Sequence, residues 1–173
     1  MESEKLGILV NNGGYVKIEG MPDVTIIEPE KYRKLPSKSV VKYMLLDRRN
    51  NGQIVKTIKI NEVNPSGYNV KSLEKISEIS REIWALRKSV ENSLNITSEE
   101  KGQFEICFKL AGNLLEEGKY ADANNFIDFS LIYCSEMIFK APMEKKKFYS
   151  ETYKKINPLK RHFSGLEALV GVF

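Results

Sequence analysis

Residues 54–94, IVKTIKINEVNPSGYNVKSLEKISEISREIWALRKSVENSL, change their hydrophobic period midway. Before Asn64-Pro65-Ser66-Gly67, Ile54, Val55, Ile58 and Ile60 crowd a short β-branched run of the kind that builds strands. After it, Leu73, Ile76, Ile79, Ile83, Leu86, Val90 and Leu94 recur every three or four positions, which places them on one face of a helix. Pro and Gly stop the strand between the two patterns. The sequence therefore predicts an α+β protein: a small β-rich domain over residues 1–63, a linker over 64–70 and a helical bundle over 71–173.

Upstream of the linker, residues 6–10 are apolar and run into Asn11-Asn12-Gly13-Gly14, a turn sequence. Tyr15, Val16 and Ile18 precede Gly20 and Pro22, and residues 24–27 end before Pro29. Residues 40–46 and 54–60 flank Asn51-Gly52, a pair suited to a type I′ hairpin turn because both positions need positive φ. Residues 54–60 do not alternate cleanly, so a bulge or two buried faces is expected there. The domain should hold four or five strands and a short helix near residues 30–33.

Downstream, the first helix should span residues 72–94. Thr97 with Glu100 three positions on is a capping box, in which each side chain satisfies the other's backbone N–H. The second helix should run from it to Gly118, a residue fit for the left-handed cap position, with Phe104, Cys107, Phe108, Ala111 and Leu115 inward. The third, over 121–139, is apolar nearly all round: Phe126, Ile127, Phe129, Ile132, Tyr133, Met137 and Phe139 cover it. Such a helix is central to a bundle or to an interface. Around Gly118 the pattern is similar to one tetratricopeptide unit, but a single copy reads as an ordinary helical hairpin. Pro142 precedes a fourth helix over 143–156, and Asn157-Pro158 ends it. The apolar tail after it, with Phe163, Leu166, Leu169, Val170 and Phe173, either folds back or docks on a partner.

Composition narrows the function classes. The chain is 42% apolar and 29% charged, with a net charge of +4, short of a dedicated nucleic-acid binder. The charge is uneven: residues 140–173 carry 8 Lys/Arg against 3 Asp/Glu. Lys145, Lys146 and Lys147 stand beside Phe148 and Tyr149, with Lys154, Lys155 and Arg161 further on, a candidate contact surface for nucleic acid or acidic protein. The near-helical spacing of Phe148, Tyr149 and Tyr153 favours core packing for the aromatics. Cys107 and Cys134 are expected as free buried thiols, and with a lone His162 no zinc pattern forms. No Gly-x-Ser-x-Gly, P-loop or His-Glu-x-x-His occurs, so neither catalysis nor a cofactor or metal is expected. The opening residues do not read as a signal peptide. No run approaches the roughly 18 apolar residues of a spanning helix, so no membrane association and a cytoplasmic location are expected.

The layout also resembles a family. A β-domain of this size, a linker and a larger helical domain are similar to the GINS replication-factor subunits, in the branch where the β-domain comes first. Trp84-Ala85-Leu86-Arg87 resembles that branch's aromatic residue followed three positions later by Arg, and Leu35-Pro36 with Val40-Val41 resembles the entry into its last β-strands. Ala85 stands where some members have an acid, and the Trp usual after the Leu-Pro element is absent. The resemblance implies a non-catalytic subunit of an archaeal-type heterotetramer. It would pair with a sister GINS-like subunit and tie the MCM helicase to a RecJ-like protein, close to the nucleoid, with little direct nucleic-acid contact. Trp84 and Arg87 match the family motif and are expected as interface or packing anchors. The apolar helix adds Phe126, Phe129 and Tyr133 as expected interface residues. The alternatives are a small basic nucleic-acid-binding protein using residues 145–161, and a generic helical adaptor.

Overall fold

The computed structural model describes residues 3–170. Five strands form one sheet: β1 (Lys5–Asn12), β2 (Tyr15–Ile18), β3 (Thr25–Ile26), β4 (Lys38–Asn50) and β5 (Gln53–Val63). Their order is β2-β1-β4-β5-β3, antiparallel throughout except where β3 meets β5. Helices follow: α1 (Val70–Glu91), α2 (Ser98–Glu116), α3 (Tyr120–Lys140), α4 (Met143–Ile156) and α5 (Leu159–Val170). The α+β order is thus the one the change of period announces. No helix among the described residues is long and apolar enough to cross a membrane. The chain divides into two compact units, one reaching to Glu74 and taking in the end of α5, the other Lys75–Ala168.

In the first unit, Leu9, Ile18, Ile26, Val41, Tyr43 and Ile58 make the core, and Leu35 packs on it. The Asn11 side chain donates to the backbone carbonyls of Arg33 and Leu35 at 2.6 and 3.0 Å, tying the loop before β4 to β1. A short 3-10 turn occupies Pro29–Tyr32. The hairpin does carry a bulge, one residue past the 54–60 run: the register passes from Lys42↔Glu62 to Tyr43↔Ile60 and skips Asn61 of β5. Asn51 and Gly52, at φ 50° and 79°, form the tight turn, Asn tolerating the left-handed region and Gly meeting no Cβ penalty there. The hairpin is longer than the apolar pattern marks. Pairing runs from Val41↔Val63 out to Asn50↔Gln53, well past the core residues.

In the second unit, α2 and α3 form a helical hairpin and α4 packs on α3. Gly118, at φ 81°, closes α2: its N–H reaches the Leu115 carbonyl and the Lys119 N–H the Leu114 carbonyl, a Schellman motif. The start of α2 departs from the full capping box. The Glu100 N–H donates to Thr97 Oγ1, but the Glu100 carboxylate accepts from the Thr97 hydroxyl rather than from its backbone. α1 ends at Glu91, not at residue 94. Asn92, Ser93 and Asn95 offer polar side chains that compete for the backbone, and Ser93 Oγ accepts from the Asn95 N–H. Leu94 is left in the loop, 97% exposed. Its start is earlier than expected because Asn69 caps it: the Ser72 N–H donates to Asn69 Oδ1 at 2.9 Å, and the Asn69 N–H to Ser72 Oγ.

The apolar tail is a fifth helix. Leu159, Phe163, Leu166 and Val170 are all buried, at spacings of four, three and four residues. Phe173 lies outside the described residues.

Candidate interaction surface

The interior of the helical hairpin is aromatic. Phe104 of α2 meets Tyr133 of α3 edge-on at 5.2 Å between ring centroids, and Tyr149 of α4 stacks near it at 6.2 Å. Tyr149 is fully buried, and its hydroxyl donates to Glu100 Oε2 at 2.5 Å. Lys145 donates to the other oxygen at 2.6 Å. Burial pushes the Glu100 carboxyl upward, but the bonds from Lys145 and Tyr149 outweigh it and hold the group below its ordinary value. Burial first, then Glu100, pushes the Tyr149 phenol far above its usual range. One carboxylate therefore locks α4 to the start of α2.

Each helix of the hairpin also keeps apolar residues on its outward side. Ile106 and Leu110 of α2 are exposed, as are Phe129, Ile132 and Phe139 of α3. On α3 the exposed positions Asn125, Phe129, Ile132, Glu136 and Phe139 alternate spacings of four and three, the seam of a helix that packs along a partner helix. Lys109 and Lys140 stand exposed next to Leu110 and Phe139, and Glu136 lies within the α3 run, so both charge signs accompany the apolar residues. An apolar centre with a mixed polar rim is the anatomy of a protein–protein contact.

The expected interface residues are distributed unevenly. Phe129 is exposed, and Phe126 leans on it edge-on at 5.7 Å. Tyr133 belongs to the interior aromatic cluster. Trp84 is 59% exposed on α1, with the Lys88 ammonium 5.4 Å above its ring. Arg87 makes a two-pronged pair with Glu105 of α2, which raises the guanidinium's pKa and holds the carboxyl low. Ile106, Leu110, Ile132 and Phe139 lie outside the expected interface set. Their spacing suits a core face as well as a surface seam, and only the packed structure separates the two.

The basic segment is also divided. Lys145 is held by Glu100, whereas Lys147, Lys154, Lys155 and Arg161 are exposed and Lys146 is half-buried. Phe148 packs against Phe104 and Tyr149, so these aromatics face inward rather than offering rings to bases. Cys134 is buried, its thiol pushed up to about 12 by burial.

Glu78 and Glu82 of α1 and His162 of α5 bring three ligand atoms within 4.8 Å of one another. The Lys75 ammonium already lies there, 2.9 Å from His162 Nδ1 and 3.4 Å from Glu78 Oε2. It supplies the positive charge that the two carboxylates ask for. A cleft of about 320 Å³ opens between α1 and α2, with Phe104 and Phe108 in its lining. Its Arg87 and Glu105 are paired with each other, and Lys101 donates to the Glu91 carbonyl. Its charged walls are thus engaged among themselves.

Comparison with known proteins returned no matching family model, no matching curated protein and no matching solved structure.

Proposed function

We propose that this chain is a non-catalytic assembly subunit that docks on other proteins through the outer side of the α2/α3 hairpin. The observation that carries the reading is the exposure of Phe129, Ile132 and Phe139 on α3 and of Ile106 and Leu110 on α2. Covering a side chain of this size is favourable by roughly 1.5–3 kcal/mol. A helix from a partner laid along the 4-3 spacing would cover several at once.

The specific assembly we propose is a GINS-like complex of the DNA replication machinery. Support comes from the order of a small β-domain and a larger helical one, and from the Trp84–Arg87 pair on the first long helix. In this reading the partners are a sister subunit of similar size, the MCM helicase and a RecJ-like protein. The location is cytoplasmic, close to the nucleoid. Affinity purification of the tagged chain from its native extract, followed by mass spectrometry, tests it. Recovery of a similarly sized subunit together with MCM helicase is expected; recovery of neither overturns the replication assignment.

A further inference from the structure

Beyond Leu46 and Thr57 the β4–β5 hairpin leaves the sheet. β1 pairs with β4 only through Tyr43, and β3 pairs with β5 only at Thr57 and Ile58. Four cross-strand pairs then stand alone: Asp47↔Lys56, Arg48↔Val55, Arg49↔Ile54 and Asn50↔Gln53, closed by Asn51-Gly52. Every residue from 47 to 56 is exposed. At about 3.4 Å per residue the free ribbon reaches roughly 14 Å. Burial of apolar surface does not hold it in place, since Ile54 and Val55 both face solvent. An isolated two-stranded ribbon is marginal by itself, so these ten residues add little to the fold.

Its chemistry is specific. Asp47 and Lys56 neutralise each other at 2.5 Å. Arg48 and Arg49 are left without an ion-pair partner among the described residues. Strand alternation puts Arg48, Asn50, Gln53 and Val55 on one side of the ribbon and Arg49 and Ile54, with the Asp47–Lys56 pair, on the other. Arg, Asn and Gln are the side chains whose paired donors and acceptors match base edges, and the major groove of B-DNA, about 12 Å wide, admits a two-stranded ribbon.

We infer that the β4–β5 ribbon is a duplex-DNA contact that enters a groove tip first, with Arg48 and Arg49 on phosphates and Asn50 and Gln53 at the base edges. The inference stands on the ribbon alone and goes beyond the assembly reading. Two phosphate contacts make it a weak, salt-sensitive contact. Charges on open edges also keep a ribbon from pairing with another strand, and that role by itself would leave DNA affinity unchanged on their removal.

The test is fluorescence anisotropy of the full chain with a labelled duplex of about 20 base pairs, roughly two helical turns, titrated between about 50 and 200 mM salt. The parent protein should bind with a dissociation constant of the order of 10⁻⁵ M at the low-salt end. The Arg48→Ala/Arg49→Ala variant should lose about tenfold or more and flatten the salt slope by about 2. The Lys146→Gln/Lys147→Gln variant of α4, which tests the rival basic segment without reversing its charge, should lose much less affinity than the ribbon variant. Circular dichroism confirms that each variant is folded, and Arg48→Lys/Arg49→Lys, which keeps both charges, should retain most of the affinity. Absence of binding by the parent, a ribbon variant that binds as the parent does, or a loss confined to the α4 variant would each overturn the inference. A ribbon that serves protein pairing would give the second of these results.

Discussion

Glu100 meets three side chains from two helices: Thr97 at its own helix start, and Lys145 and Tyr149 of α4. Removing it takes the carboxylate acceptor from a buried phenol, which keeps only its bond with Tyr133, and leaves a half-buried ammonium without its ion pair. Glu100→Ala should therefore cost about 2–4 kcal/mol in urea unfolding. The carboxyl lies below its ordinary value of 4.5 in the folded chain. Its contribution is therefore complete above that value and is lost as pH falls through the lower folded-state pKa. Glu100→Gln should flatten the acid limb of the stability profile, and an unchanged limb would contradict the assignment. The sequence made Glu100 legible as a capping residue because Thr97 and Glu100 are local. It hid the contacts with Lys145 and Tyr149, which depend on how α4 returns. Trp84 shows the opposite limit: its exposure is decided by which side of α1 the other helices cover, and no spacing rule states that.

At the scale of elements, turn and cap residues carried the most information. Asn51-Gly52, Gly118 and Asn157-Pro158 mark ends because each supplies a backbone geometry or removes a donor that few other residues match. Gly118→Ala should destabilise by about 1 kcal/mol, since alanine must hold φ near 81°; thermal melts check this, and an unshifted midpoint would mean that the cap rearranges freely. Elements without such markers were harder to read. α5 carries both Gly165 and the basic pair Lys160-Arg161 within it, so its buried four-three-four spacing passes for an irregular tail. The free ribbon of β4–β5 has no apolar alternation, because nothing covers either of its sides, and its length is set by pairing alone. α3 is apolar all round, which names a central or interfacial helix without saying which of its sides is which.

For the molecule as a whole, the packed helices resolve that ambiguity. Ile127, Leu131 and Cys134 take the interior, and Phe129, Ile132 and Phe139 are left outside. A chain that keeps five large apolar side chains outward on one hairpin should self-associate when it is without its partner. Light scattering on a sizing column, applied to the protein purified from its native cells, tests the central claim most directly. The account predicts a stable complex of about 80 kDa, the size of a tetramer of similar chains, that the Phe129→Glu/Ile132→Glu variant reduces to the 19.8 kDa monomer while it melts like the parent. A parent protein that itself elutes as a 19.8 kDa monomer would contradict it.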